Sequence, residues 1–129
     1  HMAYPYSEEL VAIAKNFPCV YVDMCWGWAI NFRSAIEFVR RMIHGVPINK
    51  LFAFGGDTFW PSQAVAYAAQ ARDGLARALK AEIDDGFLTE GDAMHIATCI
   101  MRDNQYACFD IDRTRAVIRA QLASLSSAA

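Results

Sequence analysis

Net charge is what this sequence has least of: 12 Lys and Arg stand against 14 Asp and Glu, leaving −2 over 129 residues. A chain without a basic field is not built for nucleic acid or an anionic membrane, so a small neutral or polar ligand, or another protein, is the expected partner. Long hydrophobic runs are missing as well. None approaches the roughly 20 residues that cross a bilayer, and the first residues lack the basic-then-apolar pattern of a signal peptide. A soluble, cytoplasmic protein is expected. The four cysteines, Cys19, Cys25, Cys99 and Cys108, show no C-x-x-C spacing and lie in apolar stretches, so buried, reduced thiols are expected. Histidine is scarce, at three, and no His-x-His occurs. His1 forms with Met2 what reads as a cloning remnant ahead of the natural sequence. No linker or low-complexity stretch divides the chain.

Apolar side chains, by contrast, are plentiful. Hydrophobic residues make up 55% against 20% charged, ample for one packed domain over residues 1–129. Ser7 can cap a first helix with Glu8 and Glu9 in its opening turn and Leu10, Ile13 and Ala14 on one face, ending near Phe17-Pro18. Cys19 to Cys25 is rich in β-branched and aromatic residues and predicts a strand buried on both faces, which Trp26-Gly27-Trp28 ends. A helix is predicted from Asn31 to His44, with Ala35, Ile36, Val39, Met42 and Ile43 inward and a Glu37–Arg41 pair on the wet side. Gly45 and Pro47 stop it. Leu51 to Gly55 is the second predicted strand. Pro61 opens the longest helix, in which Val65, Ala68, Leu75, Leu79 and Ile83 make a stripe reaching Asp85-Gly86. Thr89 and Asp92 have the spacing of a capping box for a fourth helix, with Ala93, Ile96, Ala97, Ile100 and Met101 toward the core and Asn104 at its close. A last helix from about Asp112 to Leu122 precedes a Ser/Ala tail expected to fray.

Two strands joined by a helix-bearing crossover should be parallel. A parallel pair with both faces apolar has too few partners to stand alone, so the chain is expected to belong to something larger or to have its sheet completed by other copies. The most informative single residue is Asp57, which closes Lys50-Leu51-Phe52-Ala53-Phe54-Gly55-Gly56. In α/β architectures the carboxyl ends of strands face the ligand crevice, which is where a catalytic acid belongs. On a purely structural reading Asp57 instead accepts the free N–H groups of the next helix. Gly55 and Gly56 either permit a tight turn or let a substrate approach the backbone. Asp23, inside a buried strand, should be paired or lie toward a pocket. His95 falls opposite the apolar stripe as a solvated residue, and His44 sits where a helix dipole favours it.

Three stretches carry a resemblance: Phe17-Pro18-Cys19-Val20-Tyr21-Val22-Asp23-Met24-Cys25-Trp26, then Val46-Pro47-Ile48-Asn49 and on to Asp57, then Arg102-Asp103-Asn104-Gln105-Tyr106-Ala107-Cys108-Phe109. In this order they resemble the C-terminal part of metal-dependent hydrolases of the amidohydrolase superfamily, in the branch related to uronate isomerases and to the amidohydrolase-like domain linked to glutamine synthetase. The resemblance covers residues 7 to about 110. It implies an α/β fold, a partial (β/α)8 TIM barrel whose two parallel strands are the seventh and eighth, with about five helices. It implies that Asp57 is a metal ligand or the base that activates a metal-bound water, and that Trp26 and Trp28 line the substrate pocket. The cofactor implied is a divalent metal, zinc above all, in the complete barrel. The reaction implied is hydrolysis of an amide, ester or related bond in a small molecule, with sugar-acid isomerisation as a variant.

The departure from that family lies in the ligands. Its histidines come from the first, fifth and sixth strands, often with a lysine or glutamate from the fourth; here His44 and His95 fall in predicted helices. One carboxylate cannot hold a catalytic metal, which takes about three protein ligands. This chain alone is therefore expected to bind no metal and to be inactive, its partner being a missing N-terminal barrel half or further copies of itself. The competing expectation is a non-catalytic, self-associating module.

Overall fold

In the computed structural model, which describes residues 1–127, the chain runs α1 (Ser7–Asn16), β1 (Val22–Asp23), α2 (Gly27–Ile30), α3 (Phe32–Gly45), β2 (Leu51–Phe52), α4 (Pro61–Asp84) and α5 (Glu90–Thr98). A π-helical turn (Cys99–Asp103) then leads into α6 (Asn104–Cys108) and α7 (Ile111–Ser127). Most boundaries have a local cause. The Asn31 side chain accepts the Ser34 N–H at 3.0 Å to open α3. Thr89 and Asp92 complete the anticipated capping box, Asp92 N–H donating to Thr89 Oγ1 at 3.1 Å and Thr89 N–H to Asp92 Oδ2 at 3.0 Å. Gly86 leaves α4 with φ +78°, a left-handed position that glycine tolerates best. The expected Glu37–Arg41 pair gives way to one between elements, Arg41 reaching Glu8 of α1 at 2.9 Å. Helix α7 continues to Ser127 rather than stopping at Leu122. The last two residues of the Ser/Ala tail, expected to fray, lie outside the described residues.

The expectation of an α/β partial barrel is overturned. Helix of one kind or another covers 71% of the chain, and the sheet is two parallel strands of two residues each, Val22 opposite Leu51 and Asp23 opposite Phe52. The apolar runs at 19–25 and 51–55 were long enough for strands, but few of their residues pair in a regular ladder. Trp26 takes a left-handed backbone, φ +56°, and turns the chain straight into α2. On the far side of β2 a helix stands where a third strand would be. The π turn frees the Ile100 carbonyl, which accepts the Ala53 N–H at 2.9 Å, and Asn104 Nδ2 donates to the carbonyls of Ile48 and Leu51, each at 2.8 Å. Beside β1, the Met2 N–H donates to the Asp23 carbonyl at 3.1 Å. These sheet edges therefore find partners inside one chain, which removes the backbone argument for completion by other copies.

The core lies where α3 crosses α4. Ala35, Phe38, Val39 and Met42 of α3 meet Ala71, Leu75, Ala78 and Leu79 of α4, with Trp28, Met24, Leu51 and Ile100 packed beside them. The first turns of α4 stand away from this core, for Val65, expected inward, is exposed. The four cysteines are free, as expected, but none is buried: Cys19 and Cys108 are exposed, Cys25 and Cys99 half-buried. Lys50 is a buried residue that apolar patterning did not foresee; its Nζ donates to the Ala14 and Phe17 carbonyls at 2.5 and 2.7 Å and closes the end of α1.

Close approach explains Gly74. A Cβ placed there would lie 2.4 Å from Trp28 Cζ3 and 2.6 Å from Cε3. In an open helix Gly→Ala stabilises by about 0.5–1 kcal/mol. Here the clash should win, and Gly74→Ala is expected to destabilise by about 1–3 kcal/mol in a urea titration, the usual cost of overfilling a core. A variant as stable as the parent would show that Trp28 can move aside.

Candidate functional site

Asp23 closes β1, and Asp57 lies five residues beyond the end of β2. In β1 the alternation puts Val22 inward and Asp23 outward. Asp23 Oδ1 accepts the Cys25 N–H at 2.8 Å, a local turn that short acidic side chains favour. After β2 the chain passes Gly55, whose carbonyl accepts the Trp26 N–H at 3.1 Å, tying the two strand ends together. A Cβ at Gly55 would stand 2.7 Å from Cys25 Sγ, so glycine is needed there for contact rather than for turning. Asp57 follows with φ +38°, a backbone that non-glycine residues rarely adopt. Its carboxylate is half exposed and meets the His1 imidazole, Oδ2 to Nε2 2.8 Å. His1 in turn stands edge-on to Trp26, with ring centroids 5.5 Å apart.

Asp57, Trp26, Asp23 and Cys25 therefore share one end of the molecule. Trp28 does not join them. It is 2% exposed, and its indole N–H donates to the Ala53 carbonyl at 2.8 Å, so it is a core residue and does not line a pocket. Nor does Asp57 cap the next helix: Trp60 stands at the N-cap of α4 with no side-chain cap, and the nearby Thr58 hydroxyl meets the Trp60 N–H at 3.3 Å. Asp23 faces outward and is half exposed rather than buried, and it is paired, the amino group of His1 donating to its Oδ1 at 3.3 Å. The Cys25 thiol is pushed above its ordinary pKa, first by burial and then by the negative charges of Asp23 and Asp57. It stays protonated at neutral pH and is a poor nucleophile.

The residues present do not fit a resident divalent metal. Among the described residues no three His, Cys, Asp or Glu side chains stand close enough to hold an ion. Two exposed carboxylates and an aromatic face can accept protons and hydrogen bonds and can flank a small ligand. They cannot by themselves form a zinc centre.

A second cluster was missed by sequence reasoning. Glu82 of α4 is 1% exposed; Arg40 Nε donates to its Oε1 at 2.5 Å and His44 Nε2 meets Oε2 at 2.5 Å, while Arg40 also reaches Asp85. Burial alone would raise the Glu82 pKa. The hydrogen bonds and charges of Arg40 and His44 outweigh it and hold the carboxyl below the usual range. The signal was available, because Glu82 falls seven residues after Leu75 and three after Leu79, on the apolar stripe of α4 where a charge must be paired. His44, expected to serve a helix dipole, instead serves this carboxylate. The cleft beside it, about 530 Å3, is lined by Glu8, Arg41, Gly45 and Phe87 as well.

Among the described residues no helix is long and apolar enough to cross a membrane. No protein-family model matches the chain, and no solved structure matches it. Among curated proteins it is similar to Protein fluG of Emericella nidulans, 26% identical over 113 residues, which is 87% of this chain and 13% of that protein. The chain thus spans about an eighth of the length of the relative it matches.

Proposed function

We propose that this chain is one segment of a larger, cytoplasmic metal-dependent hydrolase of amidohydrolase type acting on a small amide or ester, and that Asp57 is its contribution to the reaction. The observation that carries this reading is the meeting of Asp23, Trp26 and Asp57 at one exposed end, past the two parallel strands. Two further facts support it. The similarity to Protein fluG runs along most of this chain but a small part of that protein. Phe59, at 99% exposure, and Trp60 present apolar surface beside Asp57 that suits burial against an adjoining body. The ligands of the metal must come from outside this segment, in keeping with the donor set found here.

In this reading Asp57 acts as a general base. Its carboxylate takes a proton from the attacking water, the water oxygen bonds to the substrate carbonyl carbon, and the amine or alcohol leaves carrying a proton. The Asp57 side chain is 54% exposed, which leaves its carboxylate within reach of solvent. Trp26 offers a flat apolar wall to the substrate. Removing such a base costs about 10²–10⁴-fold in kcat, so Asp57→Asn in the longer protein should lower turnover of amide and ester substrates by that factor with an unchanged circular dichroism spectrum. Retained turnover would remove the assignment.

A further inference from the structure

His1 reads from the sequence as foreign to the natural chain, yet it is the residue that fills the end where Asp23, Trp26 and Asp57 meet. Its amino group donates to Asp23 Oδ1 at 3.3 Å, its imidazole Nε2 meets Asp57 Oδ2 at 2.8 Å, and its ring stands edge-on to Trp26. One residue thus spans both carboxylates and touches the indole as well.

Among the described residues neither Asp23 nor Asp57 has another ion-pair partner. Without His1, two negative charges stand uncompensated beside an aromatic ring. Cys25 registers both: its thiol is pushed up first by burial and then by Asp23 and Asp57, against the opposing charge of the His1 amino group. A resident metal does not neutralise them, since no three donors come together among the described residues. An organic ammonium group needs only acceptors, and a flat ring such as that of Trp26 attracts cations too.

We propose that Asp23, Trp26 and Asp57 form a recognition site for a small aromatic amine, with its ammonium group two carbons from a flat ring that carries an N–H donor. That is the pattern His1 presents, since Cα and Cβ separate its amino group from its ring. Asp23 takes the ammonium, Asp57 the ring N–H, and Trp26 packs against the ring. This binding does not rest on the hydrolase reading.

The experiment is an NMR titration of the chain with histamine at neutral pH and low salt, following the indole N–H signal of Trp26, assigned with Trp26→Phe. The chain carrying His1→Gly, freed of the competing imidazole, should reach half-saturation at about 2–5-fold less histamine than the parent, the worth of one exposed polar contact. In that chain Asp23→Asn and Asp57→Asn should each weaken binding by about 2–5-fold. N-acetylhistamine, which lacks the ammonium, should bind as weakly as histamine binds to Asp23→Asn, and should lose nothing further from that substitution. A Trp26 signal unmoved by histamine, or an acetylated probe that binds as well as histamine, would overturn the proposal. Because the titration reads binding alone, turnover retained by Asp57→Asn in the longer protein removes the hydrolase reading and leaves this site standing.

Discussion

Trp28→Ala is expected to lower the stability of this protein by about 4 kcal/mol, within the range for truncating a buried aromatic residue. The side chain is 2% exposed, fills the space left by Gly74, and packs near Phe32 with ring centroids 6.2 Å apart. Its removal opens a cavity between α2 and α4 and strands the Ala53 carbonyl, which loses its 2.8 Å hydrogen bond at the end of β2. A chain of 129 residues is held by about 6–19 kcal/mol in all, so the loss is a large fraction of the total. Trp28→Phe separates the two causes: it keeps most of the apolar volume and should cost about 1–3 kcal/mol, chiefly for the buried carbonyl left unpaired. Urea midpoints compared across the three proteins decide it. A loss under about 1 kcal/mol in Trp28→Ala would mean that the site collapses freely or that Trp28 is not held in the core.

Glu82→Ala should cost about 3 kcal/mol, near the lower end for breaking a buried ion pair. Arg40 keeps Asp85 and some solvent, which holds the figure down; the space vacated between α3 and α4 raises it. The pH dependence gives a second reading. The folded-state pKa of Glu82 lies below the ordinary value, so its contribution is fully present above about pH 4.3 and is lost as pH falls through the lower, folded value. The parent should therefore lose stability on acidification below about pH 4.3. Glu82→Gln, already weaker at neutral pH, should lose less over the same interval. Parallel stability curves for parent and Glu82→Gln would show that the carboxylate is not the acid-sensitive element.

Much of the helical content was legible because it rests on local chemistry. Asn31, Pro61 and the Thr89–Asp92 pair mark helix starts wherever the rest of the chain lies, and the inward stripe of α3 follows from spacing alone. The runs at 19–25 and 51–55 were not legible in the same way. An apolar stretch reports that a segment is buried, but not what buries it, and here the far side of β2 is met by Ile100 and Asn104 of a helix. The same limit applied at the site. Asp57 and Trp26, expected at strand ends, lie in the loops after two-residue strands, and Trp28, two residues from Trp26, turns into the core because α2 begins between them.

What the sequence by itself determined is one apolar-rich domain without a basic field, the capped starts of its longer helices, and an aspartate at the end of an apolar run. Those are statements about composition and neighbours along the chain, and they survive any packing. Tertiary structure alone decided that helices rather than strands cover the short sheet, and that Arg40 and His44 of α3 are the groups that pair with the buried Glu82. The reason is physical: pairing, burial and side-chain distance depend on which segments meet in space, and residues far apart in the chain carry little record of that meeting.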